Sequence, residues 1–87
     1  MRLERTERFK RAYKKLSQQE QEQFKKALSN MLQHGARYPG LHVKRIKGTR
    51  DIWEARVSRG CRMTFEIGGD RLTLRNIGEH DATLERP

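Results

Sequence analysis

Two stretches of strict alternation, separated by Ser58-Arg59-Gly60, constrain this chain more than anything else in it. Trp53, Ala55 and Val57 alternate with Glu54 and Arg56. Cys61, Met63, Phe65 and Ile67 alternate with Arg62, Thr64 and Glu66. A period of two marks a strand with one face buried. If Ser58 to Gly60 closes a hairpin, Val57 pairs with Cys61. Arg56 then faces Arg62, Ala55 faces Met63, Glu54 faces Thr64 and Trp53 faces Phe65. Every apolar pair falls on one face of the sheet and every polar pair on the other. A one-residue slip would turn the arginines into the core, which pins this register.

Further strands extend the hairpin on both sides. Leu72 to Ile77 follows a Gly69-Asp70 turn, which pairs Phe65 with Leu74 and Thr64 with Arg75. Leu41 to Lys47 is a weaker strand after the turn Tyr38-Pro39-Gly40. Met1 to Arg5 is a candidate edge strand, supported by Leu3 alone. Before Tyr38 the period is helical. Thr6 can N-cap a segment with Phe9, Ala12, Tyr13 and Leu16 on one face. Ser17-Gln18-Gln19-Glu20 is a capping box that opens a second helix with Phe24, Ala27, Leu28, Met31 and Leu32, and Gly35 ends it. Neither helix is stable alone, so both need a sheet beneath them. The expected fold is α+β: an N-terminal αα-hairpin packed on a mainly antiparallel sheet of about four strands, as one domain over residues 1–87.

Charge narrows the function. Lys and Arg number 20 against 11 Asp and Glu, a net +9, and the pI is about 10.5. A domain this small and this basic is expected to meet an anionic partner, nucleic acid or acidic protein. Cys61 is the single cysteine. It has no disulfide partner and no second ligand at metal spacing, and reads as a small buried apolar residue. No more than two apolar residues occur in succession. A membrane span and a signal-peptide core are therefore not expected, and a cytoplasmic protein is.

The polar face of the sheet carries Glu54, Arg56, Arg62, Thr64 and Arg75, with Arg56 and Arg62 directly opposite each other. Like charges so placed are destabilising by up to about 1 kcal/mol. Two guanidinium forks a strand apart suit a phosphodiester. Lys44, Arg45 and Lys47 extend the positive surface on the preceding strand. Gly78-Glu79-His80-Asp81 follows the last strand and brings His80 beside Arg62. Imidazole changes protonation near neutrality, so beside two arginines it is a workable acid or base for RNA cleavage. Trp53, Phe65 and Phe24 read as core, whereas Tyr38 lies near a turn.

Three segments then become informative together: Lys47-Gly48-Thr49-Arg50-Asp51-Ile52-Trp53-Glu54-Ala55-Arg56-Val57, Gly60-Cys61-Arg62-Met63-Thr64-Phe65 and Ile77-Gly78-Glu79-His80. With the helix pair before them they resemble the RelE/ParE toxin superfamily over nearly the whole chain. That resemblance implies a toxin of a type II toxin–antitoxin system. Enzymatic members bind in the ribosomal A site and cleave mRNA there, with the substrate's own 2′-hydroxyl as nucleophile and no metal or other cofactor. It also implies a cognate acidic antitoxin wrapped on the basic surface, and a toxin that is monomeric when free. Carried over by position, Arg62 looks like the phosphate-stabilising arginine. Arg56 and Glu54 occupy strand positions that supply basic or acid/base groups, and His80 lies where some members have a catalytic histidine or arginine. Lys44, Arg45, Lys47 and Arg75 would hold RNA. The chain departs from the pattern in having no tyrosine after Tyr38, in Cys61 where an aromatic is frequent, and in Glu54 where some members are basic.

Two other readings compete. A ParE-like toxin of the same fold would inhibit DNA gyrase without being an enzyme; Glu54 and His80 beside Arg62 speak against it. A plain RNA-binding module would interleave aromatics with its basic face, and this face has none.

Overall fold

The computed structural model describes residues 2–87. Strand β1 (Arg2–Arg5) leads through Thr6 into α1 (Glu7–Lys14) and α2 (Gln18–His34). A 3-10 turn (Pro39–Leu41) and the two-residue strand β2 (Lys44–Arg45) follow. Then come β3 (Ile52–Arg56), β4 (Cys61–Gly68), β5 (Arg71–Glu79) and a short C-terminal helix α3 (His80–Glu85). The sheet has five strands in the order β1-β5-β4-β3-β2. All neighbours are antiparallel except β1, which runs parallel to β5.

The caps expected from sequence all form. The Thr6 hydroxyl accepts from Phe9 N at 3.0 Å and donates to the Arg75 carbonyl at 3.0 Å, tying the start of α1 to β5. Ser17 and Glu20 cap each other's backbone N–H at 3.1 and 3.0 Å. Gly35 leaves α2 at φ +91°, a left-handed backbone that favours glycine. Phe9, Tyr13 and Phe24 join the two helices through an aromatic trio with centroids 5.4–6.1 Å apart. Beneath them lie Ala55, Met63, Phe65, Leu72, Leu74 and Ile77 from the sheet, all buried. Cys61 is fully buried, as a small apolar residue would be.

The hairpin register is as the alternation requires: Arg56 pairs with Arg62, Ala55 with Met63, Glu54 with Thr64 and Trp53 with Phe65. Four details of the sheet differ from the sequence-based expectation. The sheet has five strands rather than about four, because the edge candidate at the N-terminus does pair; the part of it at Met1 lies outside the described residues. β2 shrinks to two residues because Leu41 turns inward from the 3-10 turn and is buried. Phe65 pairs with Leu74 as expected, but a bulge between Thr64 and Phe65 gives Thr64 the partner Asn76 and leaves Arg75 as the extra residue. The bulge lets Leu74 and Ile77, three positions apart, both face the core. Trp53 is only half-buried: it lines an open groove with Tyr38, Val43 and Phe65 instead of lying beneath the helices.

The polar face is not left to solvent. α3 and the residues after it cross it, and Thr64 and Asn76 donate to the carbonyls of Pro87 and Arg86 at 2.9 and 3.0 Å. Thr64 is fully buried as a result, and Glu54 on the same face is 6% exposed. Gly78 allows this approach, since a Cβ there would meet the Thr83 hydroxyl at 3.0 Å.

Candidate active site

Sheet order decides which polar residues meet. Lys44 on β2 pairs with Glu54 on β3. Glu54 and Arg56 alternate onto the same face, and Arg56 pairs with Arg62 on β4. Arg62 pairs with Gly78 on β5. The chain then turns into α3, where the His80 N–H donates to the Gly60 carbonyl at 2.9 Å and fixes the start of the helix against the β3–β4 loop. The outcome is an open cleft of about 410 Å³ lined by His42, Val43, Lys44, Glu54, Arg56, Arg62 and His80.

Arg62 is held on two sides. Its Nη1 donates to the carbonyls of Ser58, Cys61 and Arg59 at 2.7, 3.1 and 3.3 Å. Its Nε lies 4.0 Å from Oε1 of Glu54. Nη2 has no protein partner among the described residues. A guanidinium anchored in this way presents its remaining N–H groups without reorganising, which is the arrangement that stabilises charge developing on a phosphate. Glu54, with its side chain 8% exposed, accepts no hydrogen bond from any described residue, so its lone pairs remain open to the cleft it lines. Arg56 and Lys44 make no ion pair or side-chain hydrogen bond among the described residues. Three permanent cations therefore line the cleft against one carboxylate.

His80 is oriented by its neighbour. Its Nδ1 lies 2.8 Å from Oδ1 of Asp81. When Nδ1 carries the proton, it donates to the carboxylate and Nε2 is left with a lone pair. Glu79 caps the same helix, accepting from Asp81 N and Ala82 N at 3.1 and 2.9 Å. The rigid start of α3 thus carries a positioned imidazole.

Of the eight residues singled out from sequence, five meet here: Lys44, Glu54, Arg56, Arg62 and His80. Three do not. Arg45 pairs with Trp53 and so faces the other side of the sheet from Lys44. Lys47 sits in the turn after β2. Arg75, displaced by the bulge, is bound to Glu66 and donates from Nε to the Pro87 carbonyl at 3.2 Å. It belongs to a second basic cluster instead: Arg8 is held below its usual pKa by burial and by the charges of Arg75, Arg11 and Arg86. His42 and Asp81 were missed. His42 lies in a loop without periodicity. The only sign of Asp81 was its position next to His80. Among the described residues no three His, Cys, Asp or Glu side chains converge as metal ligands would. No helix among them is long and apolar enough to cross a membrane.

More than nine-tenths of the chain superposes on known toxin structures. YafQ from Escherichia coli strain BL21(DE3) matches with a TM-score of 0.79 at 13% identity, over 94% of this chain and 97% of that one. A chain of the RelB–RelE antitoxin–toxin complex from Methanococcus jannaschii matches at 0.77 and 16%, over 97% and 99%. The YoeB/ParE toxin from Agrobacterium tumefaciens matches at 0.75 and 20%, over 92% and 99%. The chain has the RelE/ParE toxin fold. No family model matches the sequence, and no curated protein does. At identities this low the likeness is one of fold. The fold leaves the chemistry to the cleft's own residues.

Proposed function

We propose that this chain is the toxin of a type II toxin–antitoxin system and acts as a metal-independent endoribonuclease on mRNA in the ribosomal A site. One observation carries this reading: Glu54, Arg56, Arg62 and His80, with Lys44, line a single cleft. A 2′-hydroxyl attacks the adjacent phosphorus, the P–O5′ bond breaks, and a 2′,3′-cyclic phosphate and a 5′-hydroxyl result. His80 or Glu54 takes the 2′ proton. Arg62, with Arg56, stabilises the charge that builds on the non-bridging oxygens. Such positioned charges are worth about 3 to 4 kcal/mol each where water is excluded. The cleft is open in the free chain, and the ribosome would supply the missing walls. Lys44 and the distributed charge of +9 hold the RNA, with Arg45, Lys47 and Arg75 contributing from outside the cleft.

Solved structures of the same fold are antitoxin–toxin complexes, among them RelB–RelE and DinJ–YafQ. An acidic antitoxin bound to this chain's basic surface follows the same logic, with the free toxin a monomer in the cytoplasm. Expression in growing cells tests the reading: protein synthesis should stop, and the arrested mRNAs should carry 2′,3′-cyclic phosphate ends at cuts within codons. Arrest of DNA supercoiling without mRNA cuts would instead favour gyrase as the target.

A further inference from the structure

In-line phosphoryl transfer places the entering and leaving oxygens on opposite sides of the phosphorus. A base and an acid that serve them must therefore stand on opposite flanks of the bound phosphate. His80 stands on one flank of the Arg56–Arg62 pair, at the β5 side. The opposite flank, at the β2 side, holds a second imidazole. His42 precedes Lys44 by two residues, and Lys44 pairs with Glu54, itself two residues before Arg56. The ladder ends at Lys44, and His42 stands just before it with a left-handed backbone. His42, just before β2, and His80, just after β5, stand at opposite ends of the strand run β2-β3-β4-β5, and both line the same cleft.

The backbone marks the same residue. His42 has φ +47° and ψ +48° and is the one non-glycine residue among those described with a positive φ. Its N–H closes the 3-10 turn on the Pro39 carbonyl at 3.3 Å. A left-handed L-residue is unfavourable, and such strain persists where surrounding structure holds it, often at functional sites. The imidazole has no hydrogen-bond partner among the described residues, so both ring nitrogens are available to a ligand.

We propose that His42 is the general acid of the cleavage, protonating the departing 5′-oxygen while His80 removes the 2′ proton. This inference rests on the ribonuclease reading. The O2′–P bond forms as the P–O5′ bond breaks. The 2′ proton passes to Nε2 of His80, and a proton from the His42 imidazolium completes the 5′-hydroxyl. Glu54 is then the residue that holds Arg62 in place.

A leaving group that needs no proton tests the assignment. Ribosomes are programmed with mRNA carrying either the normal linkage or a 5′-bridging phosphorothiolate at the scissile position. The variants are His42→Asn, which tolerates the left-handed backbone, and His42→Gly, which relieves it. Both should cut the normal linkage roughly 10²- to 10³-fold more slowly than wild type, and both should cut the sulfur linkage at the wild-type rate. A purely structural role would slow the two linkages alike. Equal rates on the normal linkage, or no rescue by sulfur, would overturn the role of His42 and leave the ribonuclease reading standing. Failure of wild type on both linkages would remove the ribonuclease reading itself, and this inference with it.

Discussion

Nε of Arg62 lies 4.0 Å from Oε1 of Glu54, and both side chains are largely buried, at 16% and 8% exposure. Arg62 is thus a structural counter-charge as well as the phosphate ligand proposed above. Arg62 is the one ion-pair partner of Glu54 among the described residues, so truncating Arg62 leaves a buried carboxylate with only the more distant cations of the cleft to offset it. An outward-facing strand arginine would have been removable at little cost. This one also fills the β3–β4 loop through three carbonyls. Arg62→Ala should cost about 1 to 3 kcal/mol in urea unfolding. Adding Glu54→Gln should recover part of that loss, since the neutral amide needs no counter-charge. Arg56→Ala, which breaks no contact of this kind, should stay within about 0.5 kcal/mol of wild type. Equal stabilities for Arg62→Ala and Arg56→Ala would show that the pair does not contribute.

His80 should matter to rate and not to attachment. His80→Gln should lower single-turnover cleavage by roughly 10²- to 10⁴-fold, the usual size of a general acid–base contribution. Its affinity for the ribosome should hardly change, because distributed positive charge supplies most of the attraction. Asp81→Asn keeps the capped helix and weakens the contact that selects the tautomer, so its loss of rate should be smaller than that of His80→Gln. If His80→Gln cuts as fast as wild type, the base is Glu54 and the imidazole is only part of the wall.

Cys61 gives a prediction that is independent of function. Burial, with a smaller push from Glu20, raises its thiol from an ordinary 9.0 to about 11. The unfolded chain therefore loses this proton first. The contribution to stability is intact below about pH 9 and declines as pH rises toward 11. Denaturant midpoints measured across that range should fall more steeply for wild type than for Cys61→Ala. The native thiol should also resist a bulky thiol reagent at pH 8 until the protein is unfolded. Rapid labelling of the native protein would contradict its place in the core.

The helices and the central hairpin were legible because local rules and tertiary demands agree there. Ser17 and Glu20 make a capping box wherever that pattern starts a helix. A one-residue slip of the Trp53 to Ile67 hairpin would turn Arg56 or Arg62 into the core, and the three-residue loop selects among the registers that remain. The bulge at Arg75 had a trace in the sequence, since Leu74 and Ile77 are three apart and cannot both face inward on a regular strand. It was missed because a two-residue turn accounts for Phe65 and Leu74 without it. α3 was missed because its helix depends on the Glu79 cap and on docking against Gly78 and Thr64, which are tertiary facts. The residues that follow that helix in turn cap Thr64 and Asn76. Lys44 and Arg45 looked equivalent from composition, yet only the pairing of Lys44 with Glu54 separates the cleft residue from its neighbour on the opposite face. His42 owes its position to a left-handed turn that no periodicity announces.

The central claim is that this cleft cuts RNA, and a purified system with programmed ribosomes tests it most directly. Wild type and Arg56→Ala, chosen because its fold should be undisturbed, are added to ribosomes paused with a defined codon in the A site. A DNA gyrase supercoiling assay runs beside them. Wild type should cut the mRNA within that codon and leave a 2′,3′-cyclic phosphate, in the presence of a metal chelator of protein sites as well as without it. Arg56→Ala should cut roughly 10²- to 10³-fold more slowly, the loss expected on removing one positioned charge from the transition state, and neither protein should affect supercoiling. Intact mRNA with supercoiling blocked by wild type would contradict the account and make the chain a gyrase inhibitor on the same fold.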